Sequence, residues 1–229
     1  MKKSVILRRK RLVMKCDICS ELQKDKKAYF YSTYESSISN RIIHETENLH
    51  VIPSIGQIVE GYLLIVPKNH YLSIGQMPVK LIAEVEEMKE YVYKHLSKLY
   101  KPPIFFEHGS IIETGGCGVY HAHIHAVPCG PVEGILERIS KSFNLQQIDS
   151  IFELNKYVVL NRPYIYFEDC NRNKYSFEVD EIPSQYFRKI LAELMSNEKW
   201  DWRSYKYNDD KLHKTYFTIK HFLESPSIL

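Results

Sequence analysis

The sequence has no apolar run near the ~18 residues that a membrane-spanning helix needs, so no membrane partner is expected. It lacks a dominant charge: 31 basic residues against 28 acidic ones leave +3. That is too little for a broad basic field gripping nucleic acid through its backbone. Five cysteines are an odd number, which excludes a fully paired disulfide framework and predicts reduced thiols or metal ligands. No secretory apolar segment is read either, because Arg8-Arg9-Lys10-Arg11 cuts short Val5-Ile6-Leu7. The expected location is therefore cytoplasmic. Internal repeats and low-complexity linkers are also missing.

What is present suits a packed core. Of 229 residues, 44% are apolar and 13% aromatic, with 17 tyrosines, a composition that argues against disorder. Seven basic residues and no acid in positions 1–15 predict a flexible, solvated tail. Strands are expected at Tyr29 to Tyr34, His50 to Pro53, Gly61 to Pro67, Ile104 to His108 and Val119 to Val127. A long helix is expected over 78–100, where Leu81, Val85, Met88, Val92, Leu96 and Leu99 recur at helical spacing until Pro102. Ile135, Ile139 and Phe143 suggest a second helix. Tyr157 to Glu168 and Lys174 to Val179 flank Asp169-Cys170-Asn171, which reads as a hairpin. Tyr186, Ile190, Leu194 and Met195 mark a third helix. The mixed order points to an α+β fold around an antiparallel sheet.

His121-Ala122-His123-Ile124-His125 is the densest chemical signal. On a strand, residues two apart share a face, so all three imidazoles point one way at spacings of about 7 Å. Three imidazoles can hold a catalytic metal with an open position. Alternatively, one histidine is a nucleophile at phosphorus, since neutral imidazole needs no separate base. Gly115, Gly116 and Gly118 just upstream favour the second reading, because their amides can approach and cradle a phosphate.

Cys16-Asp17-Ile18-Cys19 is a CxxC without the βαβ context of a redox pair. His70, following the apolar strand at 61–67, and His121 complete a Cys₂His₂ set, a closed and hence structural zinc site. This assignment removes His121 from catalysis. Two further clusters are double-edged. Ser184 to Lys189 and Trp200 to Arg203 fit either a wall that stacks a base and grips phosphate or ordinary packing. Glu107-His108 either orients an active-site group or pairs within itself at a strand end.

These motifs together resemble the histidine triad (HIT) superfamily. His121-Ala-His123-Ile-His125-Ala-Val matches its alternating histidine signature, and Cys16-Asp-Ile-Cys19 its N-terminal zinc CxxC. Gly61-Tyr-Leu-Leu-Ile-Val-Pro67-Lys68-Asn-His70 resembles its Gly-His…Pro-Lys-x-His segment. The resemblance covers residues 15–130. It implies a HIT-like antiparallel sheet with one long helix over 16–145, followed by a hairpin-and-helix extension over 146–229. It implies that His123 is the nucleophile at the α-phosphorus of a nucleotide, forming a nucleotidyl-histidine, and that His125 assists the phosphate or leaving group. Zinc would sit on Cys16, Cys19, His70 and His121. The expected activity is hydrolysis or transfer of a nucleoside 5′-phosphate derivative, of dinucleoside polyphosphate or phosphoramidate type. The alternative is a non-catalytic nucleotide- or RNA-binding module. A nucleotide is the expected small-molecule partner, an RNA-derived substrate is compatible with it, and a homodimer is a further expectation from the family.

The sequence departs from the family at Tyr62, where a histidine is frequent, and at Cys117-Gly118, where Gln and Ser are usual. Gly116, Cys117 and Gly118 are nonetheless expected to contact substrate, with Ser110 supplying a hydroxyl.

Overall fold

The computed structural model describes residues 16–34, 38–111, 119–180, 184–205 and 210–225. Residues 1–15, expected as a basic tail, and residues 112–118, which include Gly116, Cys117 and Gly118, lie outside the described residues. The strands are β1 His44–Glu45, β2 Leu49–Pro53, β3 Leu63–Pro67, β4 Ile104–Gly109, β5 Ile124–Val127, β6 Gln146–Ile148, β7 Tyr164–Glu168 and β8 Lys174–Glu178. They form one sheet in the order β1-β2-β3-β5-β4-β7-β8-β6, and every neighbouring pair is antiparallel. The helices are α1 Asp17–Leu22, α2 Tyr29–Thr33, α3 Val79–Leu99, α4 Ile135–Ser140, α5 Asn155–Val159, α6 Tyr186–Leu194 and α7 Asp210–Glu224. The fold is α+β, as the sequence predicts.

The two-residue period of the strands sorts their side chains into two layers. Leu49, Val51, Leu63, Ile65, Phe105, Ile124 and Ala126 pack under α3, which presents Ile82, Val85, Met88, Val92 and Leu96. The opposite face carries Ile52, Leu64, Val66, Phe106, Ile165 and Phe167, covered by Ile135 and Ile139 of α4 and by Phe187, Ile190 and Leu191 of α6. The C-terminal hairpin β7–β8 continues this sheet, because β7 pairs with β4 from Phe105↔Glu168 to Gly109↔Tyr164. Gly109 leaves room for this pairing, since a Cβ there would stand 2.2 Å from the Tyr164 ring.

Three sequence expectations need correction. Tyr29 to Tyr34, read as a strand, forms α2, because Phe30 and Thr33 bury one helical side and tertiary packing overrides the β-propensity of aromatics. Tyr157 to Val159, read as the start of a strand arm, form the end of helix α5 (Asn155–Val159), and the strand begins at Tyr164. A capping box of Ser150 and Glu153 starts the helical segment ahead of it. The strand expected from Val119 begins at Ile124, because the ladder with β3 ends at Ile65↔Ile124. Before it, the Ala122 amide turns to the Tyr71 carbonyl, at 2.7 Å.

A buried ionic cluster ties α3 to the hairpin. Lys89, fully buried on α3, meets Glu168 at 2.6 Å and Glu86 at 3.0 Å. Its Nζ also donates to the Tyr166 hydroxyl at 2.9 Å, and that hydroxyl donates to Glu168. Arg172 closes on the other Glu168 oxygen at 2.9 Å. Removing one partner of a buried pair strands a charge in low dielectric. Lys89→Met is therefore expected to lower unfolding free energy by about 3–5 kcal/mol in a urea titration. Lys89→Met with Glu168→Met should recover most of that loss.

Candidate active site

β5 lies in mid-sheet between β3 and β4, and the alternation of residues 121–126 carries through its start. Ala122, Ile124 and Ala126 join the α3 core. His123 and His125 line an open cleft on the opposite face. Their ring centroids are 4.6 Å apart. The cleft is also lined by Asp17 and Ile18 of α1, Arg41, Ser54, Ile55, Leu64, His108 and Val119, and by Gln185, Arg188 and Trp202 from the C-terminal segment.

The hydrogen bonds fix the ring nitrogens. His123 Nδ1 lies 2.6 Å from the backbone carbonyl of His121. A carbonyl only accepts, so Nδ1 carries the proton and Nε2 keeps its lone pair. Burial holds the His123 pKa below its ordinary value, favouring neutral imidazole. His125 Nδ1 stands 2.7 Å from the Tyr62 hydroxyl. Burial pushes Tyr62 up to about 12, so it stays a phenol, which both donates and accepts; in the arrangement where it donates, Nδ1 is the acceptor. The His125 proton then resides on Nε2. Phe106 stacks on the same ring with centroids 4.3 Å apart. Tyr62 thus orients His125.

His121 points elsewhere. Its Nε2 donates to the Pro67 carbonyl at 2.8 Å, leaving the Nδ1 lone pair toward Cys16 Sγ at 3.5 Å and Cys19 Sγ at 3.4 Å. His70 Nδ1 lies 3.4 Å from Cys19 Sγ. The four donor atoms fall within 4.8 Å of one another. Cys16 caps α1, its sulfur accepting the Cys19 amide at 3.5 Å, so a single helical turn presents both thiols together. Two thiols and two imidazoles in this cluster fit tetrahedral zinc, and the carbonyl behind His121 sets the ligating tautomer.

His108, on the Phe106 face of β4, is the cleft residue that neither motif flags. It is 6% exposed, and its Nε2 has no hydrogen-bond partner among the described residues. Glu107 points to the other face, accepting from Tyr164 at 2.7 Å and from the Ile74 amide at 2.7 Å. The two therefore do not pair with each other; strand alternation separates them. Ser110, two residues beyond His108, is buried and is not among the described residues lining the cleft. Arg41 had no signal in the sequence, whereas Arg188 and Trp202 fall within the two aromatic–cationic clusters.

No family model matches this chain. Among curated proteins it is similar to zinc finger CCCH domain-containing protein 59 of Oryza sativa subsp. japonica, 26% identical over 198 residues and 76% of this chain. The chain spans 30% of that relative's length. Among solved structures it is similar to a Zn-bound histidine triad family protein from Mycobacterium smegmatis, with a TM-score of 0.40 and 17% identity, covering 65% of this chain and 93% of that one. It is similar to a HIT family protein from Bacillus anthracis, with a TM-score of 0.40 and 16% identity over 57% of this chain and 99% of the other. A HIT family hydrolase from Clostridium thermocellum gives a TM-score of 0.35 and 20% identity, covering 52% and 96%. No helix among the described residues is long and apolar enough to cross a membrane.

The buried histidines carry a pH signature. Burial holds His108 down at about 3, with the charge of His123 adding to it, and holds His125 well below its usual range. Burial also lowers His44 and His50. Below about pH 6.5 the unfolded chain takes protons at these groups that the folded chain refuses, so their contribution to stability is complete above that pH and is lost as pH falls. Glu107, raised by burial to about 7, acts in the opposite sense over pH 4.5–7 but is outnumbered. The denaturation midpoint is expected to be lower at pH 5 than at pH 7; an equal or higher midpoint at pH 5 contradicts this.

Proposed function

We propose that this chain is a histidine-triad nucleotidyl hydrolase or transferase whose nucleophile is His123. The observation that carries the reading is the 2.6 Å bond from His123 Nδ1 to the His121 carbonyl, which reserves the Nε2 lone pair for attack from within the cleft. Nε2 bonds to the α-phosphorus of a nucleoside 5′-phosphate derivative, and the bond to the leaving group breaks. His125, protonated on Nε2, donates toward the departing atom or a phosphoryl oxygen, which lowers the charge developing there. Water or another acceptor then attacks the same phosphorus, releases the nucleotide and returns the electron pair to His123. Ile18, Ile55, Leu64 and Trp202, which line the cleft, offer apolar walls for the nucleobase. Dinucleoside polyphosphates and nucleoside phosphoramidates are the substrate classes that match.

Zinc on Cys16, Cys19, His70 and His121 supplies structure. The set is closed, and it anchors the residue whose carbonyl orients His123. Gly116, Cys117 and Gly118 are proposed to contact the phosphate. Tyr62 favours a second reading, a nucleotide- or RNA-binding module without turnover, because a phenol with a pKa of about 12 is a poor proton shuttle at neutral pH.

His123→Ala is expected to reduce AMP release from diadenosine polyphosphate or adenosine phosphoramidate by about 10³-fold or more, as loss of a covalent nucleophile does. Binding of both substrates by wild type, with no turnover of either, would favour the binding module. The metal assignment has its own readout. Elemental analysis of purified wild type is expected to give about one zinc per chain, and Cys19→Ser near none. Zinc retained by Cys19→Ser would overturn the assignment.

A further inference from the structure

Two buried guanidiniums border the cleft, and they differ in what neutralises them. Arg41 is 4% exposed and forms a two-pronged pair with Glu21, at 2.6 Å from Nε and 2.8 Å from Nη2. Arg188, on α6, is 3% exposed, yet its acceptors are all neutral. Nε donates to the Trp200 carbonyl at 2.9 Å, Nη2 to the Gly56 carbonyl, and Nη1 to Ser54 Oγ at 3.5 Å. Among the described residues, no carboxylate lies within ion-pair distance of Arg188, in contrast to Arg41 and Arg172. Asp201 feels its charge through space but is engaged by Gln185 Nε2 at 2.7 Å and the Arg203 amide at 3.0 Å.

The rest of the cleft supplies little negative charge. Its acid among the described lining residues, Asp17, is exposed and accepts the Tyr29 amide at 2.9 Å. A buried cation with neutral partners is costly, and the cost falls when an anion enters beside it. Nε, Nη1 and Nη2 each donate to one of those acceptors and the guanidinium also hydrogen-bonds the Tyr62 hydroxyl, which leaves one of the five N–H groups uncommitted, and a planar fork matches phosphate oxygens. Arg188 also lies over the Tyr62 ring, its Cζ 5.4 Å from the centroid, and Tyr62 is the residue that orients His125.

We propose that Arg188, contributed by the C-terminal segment, is the anion-binding group of the cleft and receives the phosphate oxygens of the bound nucleotide. The identity of that ligand rests on the nucleotide reading above; the need for an anion rests on Arg188 itself. The segment beyond residue 145 would then supply part of the site as well as part of the sheet.

Calorimetric titration of wild type, Arg188→Gln and Arg188→Lys with AMP and with adenosine tests this directly. The two probes share a base and sugar and differ in the phosphate. Wild type is expected to bind AMP at least about 10-fold more tightly than adenosine, and Arg188→Gln to lose about 10- to 100-fold for AMP with adenosine unchanged. Arg188→Lys, which keeps the charge without the fork, should fall between them. Equal weakening of both probes, or AMP binding untouched by either variant, overturns the proposal. Because Arg188 also holds backbone and hydroxyl acceptors, a variant that fails to fold is replaced by a wild-type measurement: pyrophosphate must raise the melting temperature, and no rise counts against the anion site. The two readings fail separately. AMP binding that depends on Arg188 without turnover refutes the enzyme and leaves this site standing, while turnover with Arg188-independent AMP binding does the reverse.

Discussion

One residue, His121, joins the two chemical centres of this protein. Its ring faces two thiols, with the far nitrogen tied to the Pro67 carbonyl. Its backbone carbonyl takes the Nδ1 proton of His123. A displacement of His121 would therefore disturb the Cys₂His₂ cluster and the tautomer of the cleft histidine together. The two-residue period of extended backbone makes this possible, since it sends His123 and His125 to the cleft while Ala122 and Ile124 fill the core beneath α3. Small and branched apolar residues at the intervening positions are what that packing demands.

The cleft itself is built from distant parts of the chain. α1 and its N-cap contribute both thiols of the Cys₂His₂ cluster and part of the wall, and the C-terminal segment contributes Gln185, Arg188 and Trp202. Phe187 of α6 stacks on Phe106 at 4.7 Å, and Phe106 stacks on His125 at 4.3 Å. A continuous column of rings thus runs from the C-terminal helix to the histidine motif. On the other face, Lys89 and Glu168 fasten the long helix to the hairpin that carries the chain toward α6. The C-terminal segment is bound to the sheet on one side and to the cleft on the other.

Much of this was legible in the sequence, for definable reasons. The long helix has a regular apolar stripe, and β3 is a continuous apolar run, so both emerged within a few residues of their observed bounds. The histidine alternation and the CxxC are dense local patterns, and local patterns survive folding. Composition misled where aromatic and β-branched residues sit in helices, as in Tyr29–Thr33 and around Tyr157-Val158-Val159. There the Ser150–Glu153 capping box was the better guide. The helix Asp210–Glu224 was not anticipated, although Leu212, Tyr216, Ile219 and Leu223 recur at helical spacing. Arg41, His108 and Arg188 act through long-range placement. Strand alternation from Phe106 would have put His108 on the histidine face, but nothing local in the sequence pairs Arg41 with Glu21 or leaves Arg188 without an acid.

The central claim is that His123 Nε2 forms a covalent bond to phosphorus. The most direct test is peptide mass spectrometry after a brief incubation with adenosine phosphoramidate, quenched without acid so that a phosphorus–nitrogen bond survives. The account predicts an adenylyl group on the peptide spanning residues 121–125, with fragmentation placing it on His123. Turnover without any adduct under single-turnover conditions, or an adenylyl group localised to a different residue, would contradict it.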